Sequence, residues 1–464
     1  MKKRNNLNIN PFVLIFFVVI VCGISTFLIT PGILENGIYT ELPRNKVNFN
    51  SIFNFFRAIP MGLKDTSNLV ILILVIGAAM NVYKKTGALD AGITHMIGRF
   101  GANSRTTLLV IMIIIFSVMG GFLGWIEVLL PFTPLFVAMV LALGYDTLTA
   151  VAAIIIGSMG GFMAGPTNLY TVGVCNGILQ KAGIIPADGD LFVGLNFRIV
   201  LWIVVTLISV LYILRYAIRV RKNPASSYVA HIDVSDLRQQ DTAIETKFTI
   251  RHGLVLGSIL VAMIMTIIGM KIGFDGVKWT IDDVSAIFFA SALFSGIVGR
   301  MSASEISDAI LEGAKSAVAA AMIVGVARAV FWIMNVANIN ATIVYHATQL
   351  LEGLSPTVTA IGIVILVSFL NGLIPSGSGK GALLCPIIVP IALPLGLTDQ
   401  TAVLAYQFGD GITNMFWFSY GTLLLFLSYG KVPLQAWYKF FTPLMGIFFV
   451  LSAVTLGIAV SIGF

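Results

Sequence analysis

The chain has 464 residues, 58% of them hydrophobic and only 11% charged, with a mean hydropathy of +0.96. A soluble domain carries about 25% charged residues, so the composition excludes a water-soluble globular protein and describes a single integral membrane unit, 1–464. The net charge of +7 does not imply a nucleic-acid partner, because the basic residues gather in short loops between apolar runs, as lipid-facing topology requires.

After Lys2, Lys3 and Arg4, the apolar run 12–31 is long enough to span and lacks a small-residue cleavage site, so it reads as the first span rather than a signal peptide. A second span covers 66–83, and an amphipathic stretch at 86–100 is expected at the interface. Two short apolar segments, 105–121 and 126–143, are separated by glycines and read as a re-entrant hairpin. An interrupted helix follows at 147–182, then a span at 193–218 and a basic linker at 219–253. An extra span at 254–272 precedes spans at 283–299 and 314–336 and an amphipathic stretch at 340–353. A second hairpin, 356–372 with 381–395, a second interrupted helix at 399–429 and a last span at 441–464 complete the chain. Placing the basic loops in the cytoplasm puts the N-terminus inside and gives nine crossings.

The two halves match at an offset of 252. Between Gly120 and Gly157, eleven of 38 positions are identical, among them Gly120/Gly372, Gly144/Gly396, Thr149/Thr401 and Gly157/Gly409. Hairpin pairs with hairpin and break with break. The extra span would turn the second unit over, so an inverted repeat is expected, 12–218 against 283–464.

Irregular backbone in hydrocarbon leaves amides and carbonyls unpaired unless protein or a polar cavity covers them. Carriers use such breaks to hold solutes. The first hairpin tip holds Gly120, Gly121 and Gly124 and ends on Glu127, the lone acid in a long apolar region and by default functional. The second tip is expected over Pro375–Gly381, with Ser376, Gly377, Ser378, Gly379 and Lys380 at the corresponding depth. The expected breaks, Gly165-Pro166-Thr167-Asn168 and Gly409-Asp410-Gly411-Ile412-Thr413-Asn414, offer hydroxyl, amide and carboxylate oxygens beside freed carbonyls. Such oxygens suit a hard cation, with sodium conceivable near Asn168 and Asn414. Arg328 is an interior cation that reads as a substrate ligand or as a partner of Asp410 or Glu127. Lys380 could replace a bound cation, holding a substrate carboxylate or neutralising Asp410 without sodium, or snorkel to the surface. No P-loop, G-x-S-x-G or H-E-x-x-H is present. Cys22, Cys175 and Cys385 lie in apolar segments without C-x-x-C spacing, so neither a disulfide framework nor a zinc site is expected.

With Lys85-Thr86-Gly87-Ala88-Leu89-Asp90-Ala91-Gly92-Ile93, Ile374-Pro375-Ser376-Gly377-Ser378-Gly379 and Gln407-Phe408-Gly409-Asp410-Gly411-Ile412-Thr413-Asn414-Met415, the chain resembles the YfcC-like branch of the dicarboxylate anaerobic carrier family, which includes arginine–ornithine exchangers. The resemblance implies the ion transporter superfamily fold, an all-α polytopic protein with elevator-type exchange, often dimeric. It places sites at Glu127, Asn168, Ser376, Ser378, Asp410, Thr413 and Asn414. Lys380 departs from the glutamine associated with the family. The expectation is a secondary carrier or exchanger in a bacterial-type inner membrane, without enzymatic activity, moving a small carboxylate-bearing metabolite with sodium or proton coupling. An amino acid is favoured and a dicarboxylate is the alternative. A non-transporting scaffold or sensor is the rival from another class.

Overall fold

The computed structural model describes residues 11–35, 38–89, 91, 92, 95, 105–181, 183–186, 192–235, 237, 248–277, 279–351, 353–375 and 377–464. The basic N-terminal residues, most of the stretch 86–100 and Ser376 lie outside them. Helices α1 (Pro11–Leu28), α2 (Phe49–Asp65) and α3 (Ser67–Lys85) open the chain. Between α1 and α2 runs an antiparallel pair, β1 (Gly32–Glu35) and β2 (Ile38–Glu41). Apart from this short pair, the described elements are helical, as the sequence leads one to expect. The signal for the pair was the Asn36-Gly37 dipeptide, a short-range hairpin cue hidden between two strongly apolar runs.

The segments expected to form the first hairpin are α4 (Arg105–Val118) and α5 (Thr133–Ala142), joined through a π-turn at Met119–Leu123 and a 3-10 turn at Glu127–Phe132. The broken helix is α6 (Thr147–Met163) and α7 (Val174–Lys181), and α8 (Leu195–Lys222) closes the half. The second half runs through α9 (Ile250–Lys271), α10 (Ile281–Val298), α11 (Ala303–Val336) and α12 (Ile339–Gln349). It ends with α13 (Pro356–Leu373), α14 (Gly377–Ala392), α15 (Asp399–Asn414), α16 (Gly421–Tyr429) and α17 (Leu434–Ile462). Among the described residues, six helices are long and apolar enough to cross a membrane, or seven if the two parts of α11, bent by 45°, make one span. Those six include Arg105–Leu123 and Pro356–Leu373, which the sequence reading took as short hairpin arms.

Two helices form the centre. Every residue of α6 is buried, as is every residue of α15 from Gln400 onward. Buried on all sides, these two pack on each other, α6 also on α4 and α15 on α13, and the polar side chains of α15 are satisfied within the protein. Their starts are built alike. Asp146 Oδ1 accepts from the Thr149 amide at 2.8 Å, and Thr398 Oγ1 accepts from the Thr401 amide at 3.0 Å. Each cap removes an orphan helix N–H, worth about 1 kcal/mol. A second group packs α11 along α3, α2 and α1, with α10 on α3 and α9 on α10.

Contrary to expectation, Cys175 in α7 and Cys385 in α14 form a disulfide, while Cys22 is free. The cysteines are 210 residues apart in sequence, so no local spacing betrays them; only the packing of α7 on α14 brings them together.

Candidate functional site

The first tip is held by backbone-to-backbone contact. A Cβ on Gly120 would fall 1.8 Å from Ser158 O, so only glycine lets α6 approach there. Gly124 then turns the chain with φ +70°. Glu127, half-buried at the start of the 3-10 turn, accepts from Tyr420 Oη at 2.8 Å and Thr422 Oγ1 at 3.4 Å. Both donors are neutral.

The first break lies where the sequence places it, after Met163, and its carbonyls are satisfied by side-chain donors. Gln407 Nε2 donates to Phe162 O and Gly165 O, both at 3.0 Å, and Asn168 Nδ2 donates to Phe162 O at 3.2 Å. Thr167 Oγ1 donates to Phe122 O at 2.8 Å, tying the break to the first tip. Behind them, fully buried Arg198 on α8 donates from Nη1 to Gln407 Oε1 at 2.6 Å.

The second break is displaced from expectation. Gly409–Asn414 is not unwound; it forms the last turns of α15, and the irregular segment follows at Met415–Tyr420. The glycines serve packing rather than turning: a Cβ on Gly411 would lie 2.2 Å from Met163 Cβ. Aromatic donors from α17 cover the break, Trp437 Nε1 to Met415 O at 2.8 Å and Tyr438 Oη to Phe416 O at 2.9 Å.

The second tip is also shorter than expected. α13 ends at Leu373 and α14 already begins at Gly377, so Ser378, Gly379 and Lys380 stand in its first turn. The side chain of Ser378, like the whole of Ser376, falls outside what the structure describes. Lys380 does not snorkel. Its side chain is fully buried, with Nζ 2.5 Å from Asn371 Oδ1 and 2.6 Å from Asp410 Oδ1. Asn371 Nδ2 in turn lies 3.1 Å from Asp410 O, 2.9 Å from Thr413 Oγ1 and 2.8 Å from Asn414 Oδ1. Asn414 Nδ2 donates to Asp410 Oδ2 at 3.3 Å.

A cavity of about 330 Å³, within the range of small-ligand sites, opens between the two tips and α11, lined among others by Glu127, Tyr170, Arg328, Gly377, Asn414 and Tyr420. Of the sequence candidates, Glu127, Arg328, Asn414, Gly124 and Gly377 face it. Asn168, Asp410, Thr413 and Lys380 are buried, and they and Thr167 are absent from its lining. Arg328 pairs with neither Asp410 nor Glu127. Its Nε lies 3.8 Å from Asp65 Oδ2, and its guanidinium stacks 4.2 Å over Phe331. The oxygens proposed for sodium are engaged within the protein: Asn168 Oδ1 accepts from the Tyr170 amide, and Asn414 Oδ1 faces Asn371. Among the described residues no cluster of three His, Cys, Asp or Glu could hold a metal ion.

Sequence reasoning missed Asn371, Arg198, Tyr420 and the role of Gln407. Arg198 is a charged residue near the start of an apolar run and Asn371 an amide near the end of one, the signal by which they could have been found. Tyr420, among aromatics, carried no such mark.

The chain is 29% identical over 417 residues to the "Putative basic amino acid antiporter YfcC" of Escherichia coli (strain K12), covering 87% of this chain and 80% of that protein. Among solved structures it aligns with the Alcanivorax borkumensis YdaH transporter at a TM-score of 0.45 and 15% identity, over 98% and 99% of the two chains. It also aligns with Neisseria gonorrhoeae MtrF at 0.42 and 16%, over 97% and 95%. The sequence pattern of the C4-dicarboxylate anaerobic carriers matches residues 10–461, so the chain belongs to that family and is a multi-pass membrane transporter, not an enzyme.

Proposed function

We propose that this transporter exchanges basic amino acids across the membrane. The observation that carries the reading is the charge of the cavity. Its charged lining residues among those described are Glu127 and Arg328. Arg328 already has Asp65 beside it, whereas Glu127 meets only two hydroxyls. The unmatched carboxylate suits an ammonium or guanidinium, worth about 4 kcal/mol at 4 Å in a partly polar site. Arg328 suits the substrate's own carboxylate, since guanidinium binds carboxylates in a fork. A dicarboxylate would meet one cation and be repelled by Glu127. The name of the Escherichia coli relative agrees with a basic amino acid as cargo, and the family's description agrees with a carboxylate.

The transport cycle proposed is an elevator movement in a homodimer, with the N-terminus in the cytoplasm of a bacterial-type inner membrane. The unit built on α6 and α15 would move against the group formed by α3, α10 and α11. Repeats 12–218 and 283–464 would flank the linker 219–253 and the extra span 254–272. Gly144 and Gly396, 252 residues apart, share φ +85° before equivalent helix caps, which supports duplication of the unit.

Counterflow into proteoliposomes loaded with unlabelled substrate tests the cargo. Labelled L-arginine or L-ornithine should accumulate and labelled succinate should not. Robust succinate exchange without arginine exchange overturns the reading.

A further inference from the structure

The oxygen-rich cluster under the second tip has two features by which carriers bind a coupling cation: helix C-terminal ends and a buried carboxylate. Asn371 comes from the last turn of α13, and Asp410, Thr413 and Asn414 come from the last two turns of α15. The C-terminal ends of both helices present partial negative charge. The cation there, however, belongs to the chain. Lys380 enters from the first turn of α14 and puts its ammonium on Asp410 Oδ1 and Asn371 Oδ1. The other carboxylate oxygen faces the Asn414 amide, and the Asn371 amide faces Thr413, Asn414 and the Asp410 carbonyl. A sodium ion entering this cluster would face a like charge already holding the carboxylate.

We infer that Lys380 is a tethered coupling cation: its ammonium occupies a cation site between the ends of α13 and α15, so the protein transports without sodium. Arranged this way, the lysine does not hold the substrate's carboxylate, and Asp410 does not hold the substrate's amine. Both are ligands of each other, and the pair would move with the transport unit as an electrically neutral insert. Lys380 is thus a determinant of ion specificity. The exchange arm of its test rests on the transport reading; the stability arm does not.

The purified full-length protein is measured in two ways. First, arginine counterflow is compared in sodium-free choline medium and in sodium chloride at equal ionic strength. Second, thermal unfolding in detergent is followed as sodium chloride replaces choline chloride. The wild type should exchange at rates agreeing within about twofold in the two media, and its Tm should not depend on which cation is present. Lys380→Gln keeps hydrogen-bonding capacity but removes the charge. It should exchange about tenfold or more faster with sodium than without, and sodium but not choline should raise its Tm by mass action. Wild-type exchange that requires sodium overturns the inference, as does a Lys380→Gln protein whose Tm and exchange both ignore sodium. If that variant does not fold, the double variant Lys380→Gln with Asp410→Asn, which leaves no charge in this cluster, takes its place. It should fold with a Tm indifferent to sodium, and a sodium-raised Tm there would overturn the role given to Asp410. Absence of arginine exchange in every protein and medium defeats the cargo reading, and the Tm measurements then still decide the inference.

Discussion

The two broken helices meet the same physical problem with different chemistry. At the first break the carbonyls of Phe162 and Gly165 are taken by the amides of Gln407 and Asn168, with buried Arg198 fixing Gln407 from behind. At the second, the carbonyls of Met415 and Phe416 are taken by an indole and a phenol from α17. The tips above them differ in the same sense. The first turns the carboxylate of Glu127 toward the cavity, whereas the second turns Lys380 inward onto Asp410. The two tips therefore treat charge differently: one leaves a carboxylate facing a cavity, and the other encloses its charges in a neutral pair.

That contrast can be broken at its most enclosed point first. Asp410→Asn leaves the Lys380 ammonium buried without its carboxylate, and losing one partner of a buried pair costs about 3–5 kcal/mol. Equilibrium unfolding in detergent should show a loss of that size, and near-wild-type stability would mean that the pair is not sealed. Next, Gln407→Leu removes the donor to two carbonyls and the acceptor of Arg198, with an expected loss of about 3 kcal/mol. Trp437→Phe withdraws a single donor from Met415 O and should cost about 1–2 kcal/mol. A larger effect from Trp437→Phe than from Gln407→Leu would reverse the ranking of the two breaks. Glu127→Gln should change stability least, within about 0.5 kcal/mol, because Tyr420 and Thr422 can still donate to the amide oxygen. Its transport of basic amino acids should nonetheless be lost, and counterflow at the wild-type rate would remove Glu127 from the binding site.

Much of the fold was legible because apolar runs of spanning length and glycine-punctuated interruptions are local signals. The break at Gly165–Asn168 was placed correctly, since Pro166 cannot donate to a helix. The break at Gly409–Asn414 was placed too early. Glycine reads the same in a sequence whether it bends the chain or, as at Gly411, admits a neighbouring helix, and only the contact with Met163 tells the two apart. Of the candidate site, Glu127, Asn414 and Arg328 could be picked out as polar residues in apolar surroundings. Their partners could not: Tyr420 approaches Glu127 across 293 residues and Asp65 approaches Arg328 from another helix. Pairings at that separation follow from packing, which leaves no periodic trace. Asp410 differs from these, because the sequence already offers Lys380 as its neutralising partner and the carboxylate is bonded to that lysine.

The bond between Cys175 and Cys385 closes α8 through α13 into a covalent ring, and that ring contains the exposed turn after α8 at Lys222–Ala225. A protease that cuts this turn opens the ring but releases nothing. The two halves of the carrier remain one molecule on a denaturing gel until a reductant is added, and only then run as separate pieces. A single nick there thus divides the polypeptide while the cystine still joins α7 of one piece to α14 of the other.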